Sequence, residues 1–230
     1  MIAALGVAEL KLLARNKMAA TMAFVMPLAV GVSFALSMGD DQWPMVIGLQ
    51  LLATLGFTVY VTVTTALVAR RQDLYLKRLR TGAASDAVVL AGVLLPPVML
   101  GLAQTVLLLG VSFALGAPAP SRPDLLALAV VGGLAVSGAA GVATSGITAT
   151  AEQAQVTTGP FFFGLLVGGV WAAATPDARA LLTPGGGVAD LVAGAWGAPV
   201  ALGPAVLSVL AWTALAAALS VRLFRWDART

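Results

Sequence analysis

The chain contains no cysteine and no histidine among its 230 residues. Disulfides, thiol nucleophiles, thiolate metal sites and imidazole acid–base chemistry are therefore excluded. Charge is scarce too, with Asp, Glu, Lys and Arg making up 10% of the residues. A soluble domain carries about a quarter. A phosphate-binding loop of the form GxxxxGK[ST] is missing, and the run Gly185-Gly186-Gly187 has no lysine to complete one. The chain thus has no ordinary means of binding ATP itself.

What is present is apolar. Hydrophobic residues make up 60% of the sequence and mean hydropathy is +0.97. A chain of this length has no core large enough to hide that surface, so lipid is its natural solvent. The charged residues divide it into six long uncharged windows, 18–39, 42–69, 87–121, 125–151, 153–176 and 191–221. About 20 apolar residues in a helix cross a bilayer, and the shortest window exceeds that. The simplest reading is an all-α integral membrane fold of six transmembrane helices, forming a single domain over 1–230. The first window is longer than a secretory signal core and reads as a retained helix. Pro27 and Pro96-Pro97 predict kinks in the first and third spans.

Eleven of the thirteen cations fall before the first span, between the second and third, or after the sixth. Only Arg122 and Arg179 fall on the other side. The positive-inside rule then predicts a multi-pass protein of the cell membrane with both termini cytoplasmic. It also accounts for the sequence pI near 9.8 without nucleic acid. Residues 3–17, with Leu5, Leu10, Leu12 and Leu13 against Glu9, Lys11, Arg15 and Lys17, read as an interfacial helix. Trp43 reads as an interface anchor. The segment 176–198 is too apolar for a free loop and too long for a tight turn. It reads as two short re-entrant helices in the outer leaflet between spans five and six, with Gly185-Gly186-Gly187 at the bend. An ordinary outer loop is the competing reading.

Within the windows the polar groups are mostly hydroxyls. Thr54, Thr58, Thr62 and Thr65 recur on one helical face. They either line a pathway for an amphiphilic substrate or bond backbone carbonyls and neighbouring helices. Phe162, Phe163 and Trp171 form either a pathway wall or packing. Gly133, Ser137, Gly141 and Ser145 recur every four residues, as do Gly164 and Gly168; both sets suit close helix packing. Glu152 reads as an interfacial carboxylate at the inner end of the fourth span, and the fifth span reads as beginning near Val156. With no charge well inside a window, a gradient-driven carrier lacks its usual relay groups.

The most concentrated feature is Arg70-Arg71-Gln72-Asp73-Leu74-Tyr75-Leu76-Lys77-Arg78-Leu79-Arg80, five cations in eleven residues. Tyr75, Leu76 and Leu79 add an apolar patch. Anionic lipid would attract the cations alone. A helix that docks into a groove on a soluble partner needs both features.

This run, followed by Thr81-Gly82-Ala83-Ala84-Ser85, resembles the first cytoplasmic loop of ABC type-2 exporter permeases, typically R-R-E-x-G-T-L-K-R-L-R-x-T-P-L-S. Arg70, Arg71, Leu76, Lys77, Arg78, Leu79, Arg80 and Ser85 match. Gln72, Leu74, Tyr75, Gly82 and Ala83 are among the departures. Arg15-Asn16-Lys17, Pro27 and the six-span layout also resemble the family. The resemblance implies that Arg70, Arg71, Asp73, Tyr75, Leu76, Lys77, Arg78, Leu79 and Arg80 form a coupling helix seated in a separate ABC ATPase subunit. It implies two ATPases and a second permease chain, identical or not, with the pathway between permeases lined by the second and fifth spans. ATP and Mg would be bound by the partner ATPase and no cofactor by this chain. The expected function is outward movement of a hydrophobic or amphipathic substrate such as a drug, antibiotic or lipid. A gradient-driven secondary transporter and a non-transporting membrane scaffold are the alternatives.

Overall fold

The computed structural model describes residues 11–12, 15, 17–37, 42–73, 85–175, 177–224 and 226. The interfacial helix expected over 3–17, and Leu74 to Ala84 of the basic loop, lie outside the described residues. The described chain is entirely helical, without strands. Helix α1 covers 17–37 as Lys17–Ala20, a π-helical stretch Thr21–Val25 and Met26–Ser37. Helix α2, Trp43–Gln72, likewise carries a π-helical stretch, Thr54–Val61. Helix α3 is Asp86–Ala114, α4 is Pro123–Ile147, and α5 is Ala151–Ala174 with a turn at Thr158. A 3-10 turn, Ala178–Leu182, and the short helix α6, Gly186–Ala195, precede α7, Leu202–Leu223.

Five of these helices, α2 to α5 and α7, are long and apolar enough to cross a membrane. The apolar part of α1, Ala23–Ser37, is shorter than such a span. Each helix starts or stops where its sequence changes chemistry. Proline at the first turn opens α2, α4 and the part of α5 after Thr158, where a missing N–H costs nothing. Gly116, at φ 108°, closes the turn after α3. The Pro96-Pro97 pair sits buried inside α3, which runs on through it for 29 residues. Helix α5 begins before the expected Val156. Thr150 Oγ1 accepts from Gln153 N–H, and Gln153 Oε1 accepts from Ala149 N–H. That reciprocal cap starts the helix five residues early and puts Glu152 in its first turn.

Helix α2 is the centre of the bundle, with 89% of its most apolar stretch buried, against 22% for α5 and α7. Leu52, Leu55, Val59 and Val63 of α2 meet Val136 of α4, Leu165 of α5, Val188 and Leu191 of α6 and Val209 of α7. Trp43, expected at an interface, is 5% exposed and belongs to this core. Lipid gives helices no hydrophobic reason to associate, so close packing and interhelical hydrogen bonds hold such a bundle. Both occur along the α2–α4 seam. A Cβ at Gly133 would collide with Leu55, and one at Gly141 would lie 2.8 Å from Val63 and 3.0 Å from Tyr60 O. Ser137 and Ser145 are fully buried on the same stripe. Tyr60 Oη and Thr144 Oγ1 lie 3.0 Å apart, and Thr64 Oγ1 lies 3.2 Å from Gly141 O.

The region after α5 folds onto the bundle. The 3-10 turn is capped by Asp177, whose carboxylate accepts from Arg179 N–H. Helix α6 buries Val188, Leu191, Val192 and Ala195. Gly164 and Gly168 of α5 make room for Pro184 and Thr183, so their contacts are within the chain. Gly185 and Gly186 approach Leu165 O and Ala180 O so closely that a Cβ would clash with either carbonyl. The bend at the glycine triplet is thus required by backbone approach rather than by a positive φ. Trp196 Nε1 donates to Pro118 O at 2.8 Å and Arg122 N–H to Ala195 O at 3.0 Å, closing the α3–α4 loop over the end of α6.

Candidate functional site

Among the described residues, two buried polar nodes lie against α1. Pro27 has no N–H to offer the carbonyl four residues back, which is Ala23 O. Gln104 of α3 fills that role, its Nε2 donating to Ala23 O at 3.0 Å. Thr58 Oγ1, in the π-helical stretch of α2, lies 2.7 Å from Ala23 O and 2.5 Å from Gln104 Oε1, so its one proton serves either oxygen. A second node joins the same three helices. Gln50 Nε2 donates to Gly31 O at 3.0 Å, and Ser112 Oγ donates to Gln50 Oε1 at 3.0 Å. Gln50, Thr58, Gln104 and Ser112 are all at most 2% exposed. Buried amides in an apolar interior are tolerated only when satisfied. Replacing Gln104 with Leu is expected to lower stability by about 0.5–1.5 kcal/mol, because Ala23 O and Phe24 O lose the Gln104 amide while Thr58 keeps its bond to Ala23 O; thermal unfolding in detergent reads it.

The threonine stripe therefore divides. Thr54 and Thr58 are fully buried within the chain, and Thr62 is 7% exposed with its Oγ1 3.2 Å from Phe57 O. Thr65 alone of the four is partly exposed, and it donates locally, lying 2.9 Å from Val61 O. Thr54 Oγ1 and Ser137 Oγ are buried without a hydrogen-bond partner. The aromatic candidates are layered. Phe162 packs edge-on against Phe57 at 4.6 Å and against Phe163 at 5.8 Å, while Phe161 packs on Tyr60 at 4.6 Å. A Cβ on Gly56 would sit 2.7 Å from the Phe162 ring, so glycine there lets the ring lie on α2. Phe163 and Trp171 face outward, 63% and 37% exposed, with Val167 and Val170 on the same side of α5.

A cavity of about 290 Å³ opens at the end of the bundle away from Arg71. Pro44, Gly48 and Leu49 of α2, Gly169 and Ala173 of α5 and Ala189 of α6 line it. Gly48, Gly169, Ala173 and Ala189 leave room for it beside the larger Leu49 and Met45. No sequence pattern singled it out, since its walls come from three distant segments.

At the other end, α2 finishes in Arg70, Arg71 and Gln72, capped by Asp73. Arg71 is 1% exposed. Its Nη1 donates to Ser145 O at 3.0 Å and its Nη2 to Thr148 O. The side chain thus points into the bundle, onto the end of α4. Tyr75, Leu76, Lys77, Arg78, Leu79 and Arg80 lie outside the described residues. Among the described residues no group of three or more Asp, Glu, His or Cys is placed to hold a metal.

Five apolar helices, one of them buried at the centre of the other four, define a multi-pass helical membrane protein. The family model described as ABC-2 type transporter matches residues 2–172, about three quarters of the chain. The chain belongs to the ABC-2 type transporter family. No curated protein matches it.

Proposed function

We propose that this chain is the membrane subunit of an ATP-driven exporter. Family membership implies an ABC ATPase partner. The observation that carries the reading is the contrast between interior and loop. The windows contain no ionised relay, whereas the stretch 70–80, from the last turn of α2 into the segment before α3, carries five cations with Tyr75, Leu76 and Leu79. Work done elsewhere would enter through that segment. In this reading α1 also crosses, giving six spans with cytoplasmic termini. The 3-10 turn and α6 dip into the outer leaflet, where irregular backbone is tolerated because protein covers it.

Two such permeases, identical or paired with a second type, would sit on two ATPases. Arg70, Asp73, Tyr75, Leu76, Lys77, Arg78, Leu79 and Arg80 would form the docking surface, with Arg71 behind them. Phe163 and Trp171 on the open side of α5 would meet the substrate, with Phe162 backing them and Thr65 at the inner end. Apolar side chains on that side favour a hydrophobic or amphipathic substrate.

The test is purification from native membrane followed by reconstitution in vesicles. An associated ATPase and ATP-dependent efflux of an amphipathic dye are the expected results. Movement driven by an imposed ion gradient without ATP would establish the carrier alternative, and an inert chain with no partner would establish the scaffold.

A further inference from the structure

We propose that Arg71 is a positioning residue that clasps the coupling end of α2 to the start of α5, so that the two move as one body. The inference rests on the exporter reading and names how motion would leave the coupling segment. The last carbonyls of a helix have no intrahelical donor. At the end of α4, Arg71 supplies two donors, one to Ser145 O and one to Thr148 O. A cation at a helix C-terminus is also favoured by the aligned peptide dipoles. The neighbouring Gln72 adds a bond to the same crossing, its Oε1 accepting from Ala151 N–H at 3.2 Å.

From there the chain of contacts continues into α5. Thr148 Oγ1 donates to Thr144 O at 2.7 Å and lies 2.8 Å from Thr157 Oγ1. Ala149 N–H donates to Gln153 Oε1 at 3.2 Å. The end of α2, the α4–α5 crossing and the first turns of α5 are thus bonded without a gap. A pull on the segment after Asp73 would reach the open side of α5 through this clasp as well as along α2. Asp73 itself follows the clasp by only one residue. A lysine cannot reproduce the planar fork that meets two carbonyls together.

The test uses the native assembly in vesicles. Arg71→Gln is expected to retain the ATPase and hydrolyse ATP at near the parental rate. Transport per ATP should fall about tenfold, within the range of coupling mutations, and Arg71→Lys should recover part of it. A merely structural role would lower ATPase retention and hydrolysis together, so unchanged transport per ATP overturns the proposal. Should Arg71→Gln fail to accumulate, a second variant decides. Gln72→Cys with Ala151→Cys, in a chain free of other cysteines, can be joined by a short cleavable thiol cross-linker. The linked protein is expected to keep transporting; loss of transport restored by cleaving the linker overturns the clasp. If the parental chain binds no ATPase, the exporter reading falls and the clasp's role falls with it, a result distinct from either variant's failure.

Discussion

Replacing Leu76 and Leu79 together with Asp is expected to abolish association with the ATPase while leaving the membrane bundle folded. The two leucines stand three residues apart, on one face if that stretch is helical. They are flanked by Lys77, Arg78 and Arg80. Docked helices gain affinity mainly from a few buried apolar anchors, with the charges around them setting orientation and encounter rate. Losing two anchors costs about 2 kcal/mol or more each at hot spots, and placing a carboxylate in an apolar groove adds a desolvation penalty. Co-purification is therefore expected to drop below detection, while unfolding temperature stays within a few degrees. Arg78→Ala in the same assay should weaken binding less and make it less dependent on salt. Retention of the ATPase by the double variant would remove the docking reading, leaving anionic lipid as the partner of the basic run.

Gly185→Ala is expected to be among the most destabilising single changes at the end of the bundle that holds α6. The added methyl would be driven into Leu165 O, a backbone atom of α5 that no rotamer change can withdraw. Overpacking against movable side chains costs about 1–3 kcal/mol, and a fixed carbonyl places this case at the upper end or beyond. The control is Gly110→Ala, where nothing lies within 4 Å of the new methyl. Alanine there is expected to leave stability unchanged or raise it by up to about 1 kcal/mol through better helix propensity. Thermal unfolding of both variants in the same detergent reads the difference.

The helices were legible because each apolar window ends at a charge or a turn. The windows 42–69 and 125–151 coincide closely with Trp43–Gln72 and Pro123–Ile147. The glycine triplet was legible as a bend, because three successive residues without side chains do little else in an apolar stretch. Arg71 was not. Local pattern groups it with the surface cations around it, and only the end of α4, more than 70 residues away, turns it inward. The same holds for Gln104, whose partners Ala23 and Thr58 lie 81 and 46 residues off. The window 42–69 stops short of Arg71 and the window 87–121 passes over Gln104, whereas tertiary contact makes each a junction. Pro27 gave half of that signal, since its missing N–H frees Ala23 O. The start of α5 was missed for a local reason, the cap between Thr150 and Gln153, which a four-residue motif can reveal.

The enclosed α2 and the largely exposed α7 have the same mean hydropathy over their most apolar stretches, 1.9. Each segment has to leave the insertion machinery and enter lipid before its neighbours surround it, so oiliness records passage into the bilayer and is blind to final address. Side-chain size carries the address instead. Glycine and serine on α4 face α2, while Leu207, Leu210 and Leu215 of α7 turn outward. In a chain of this kind, bulk along a helix is the better guide to its neighbours.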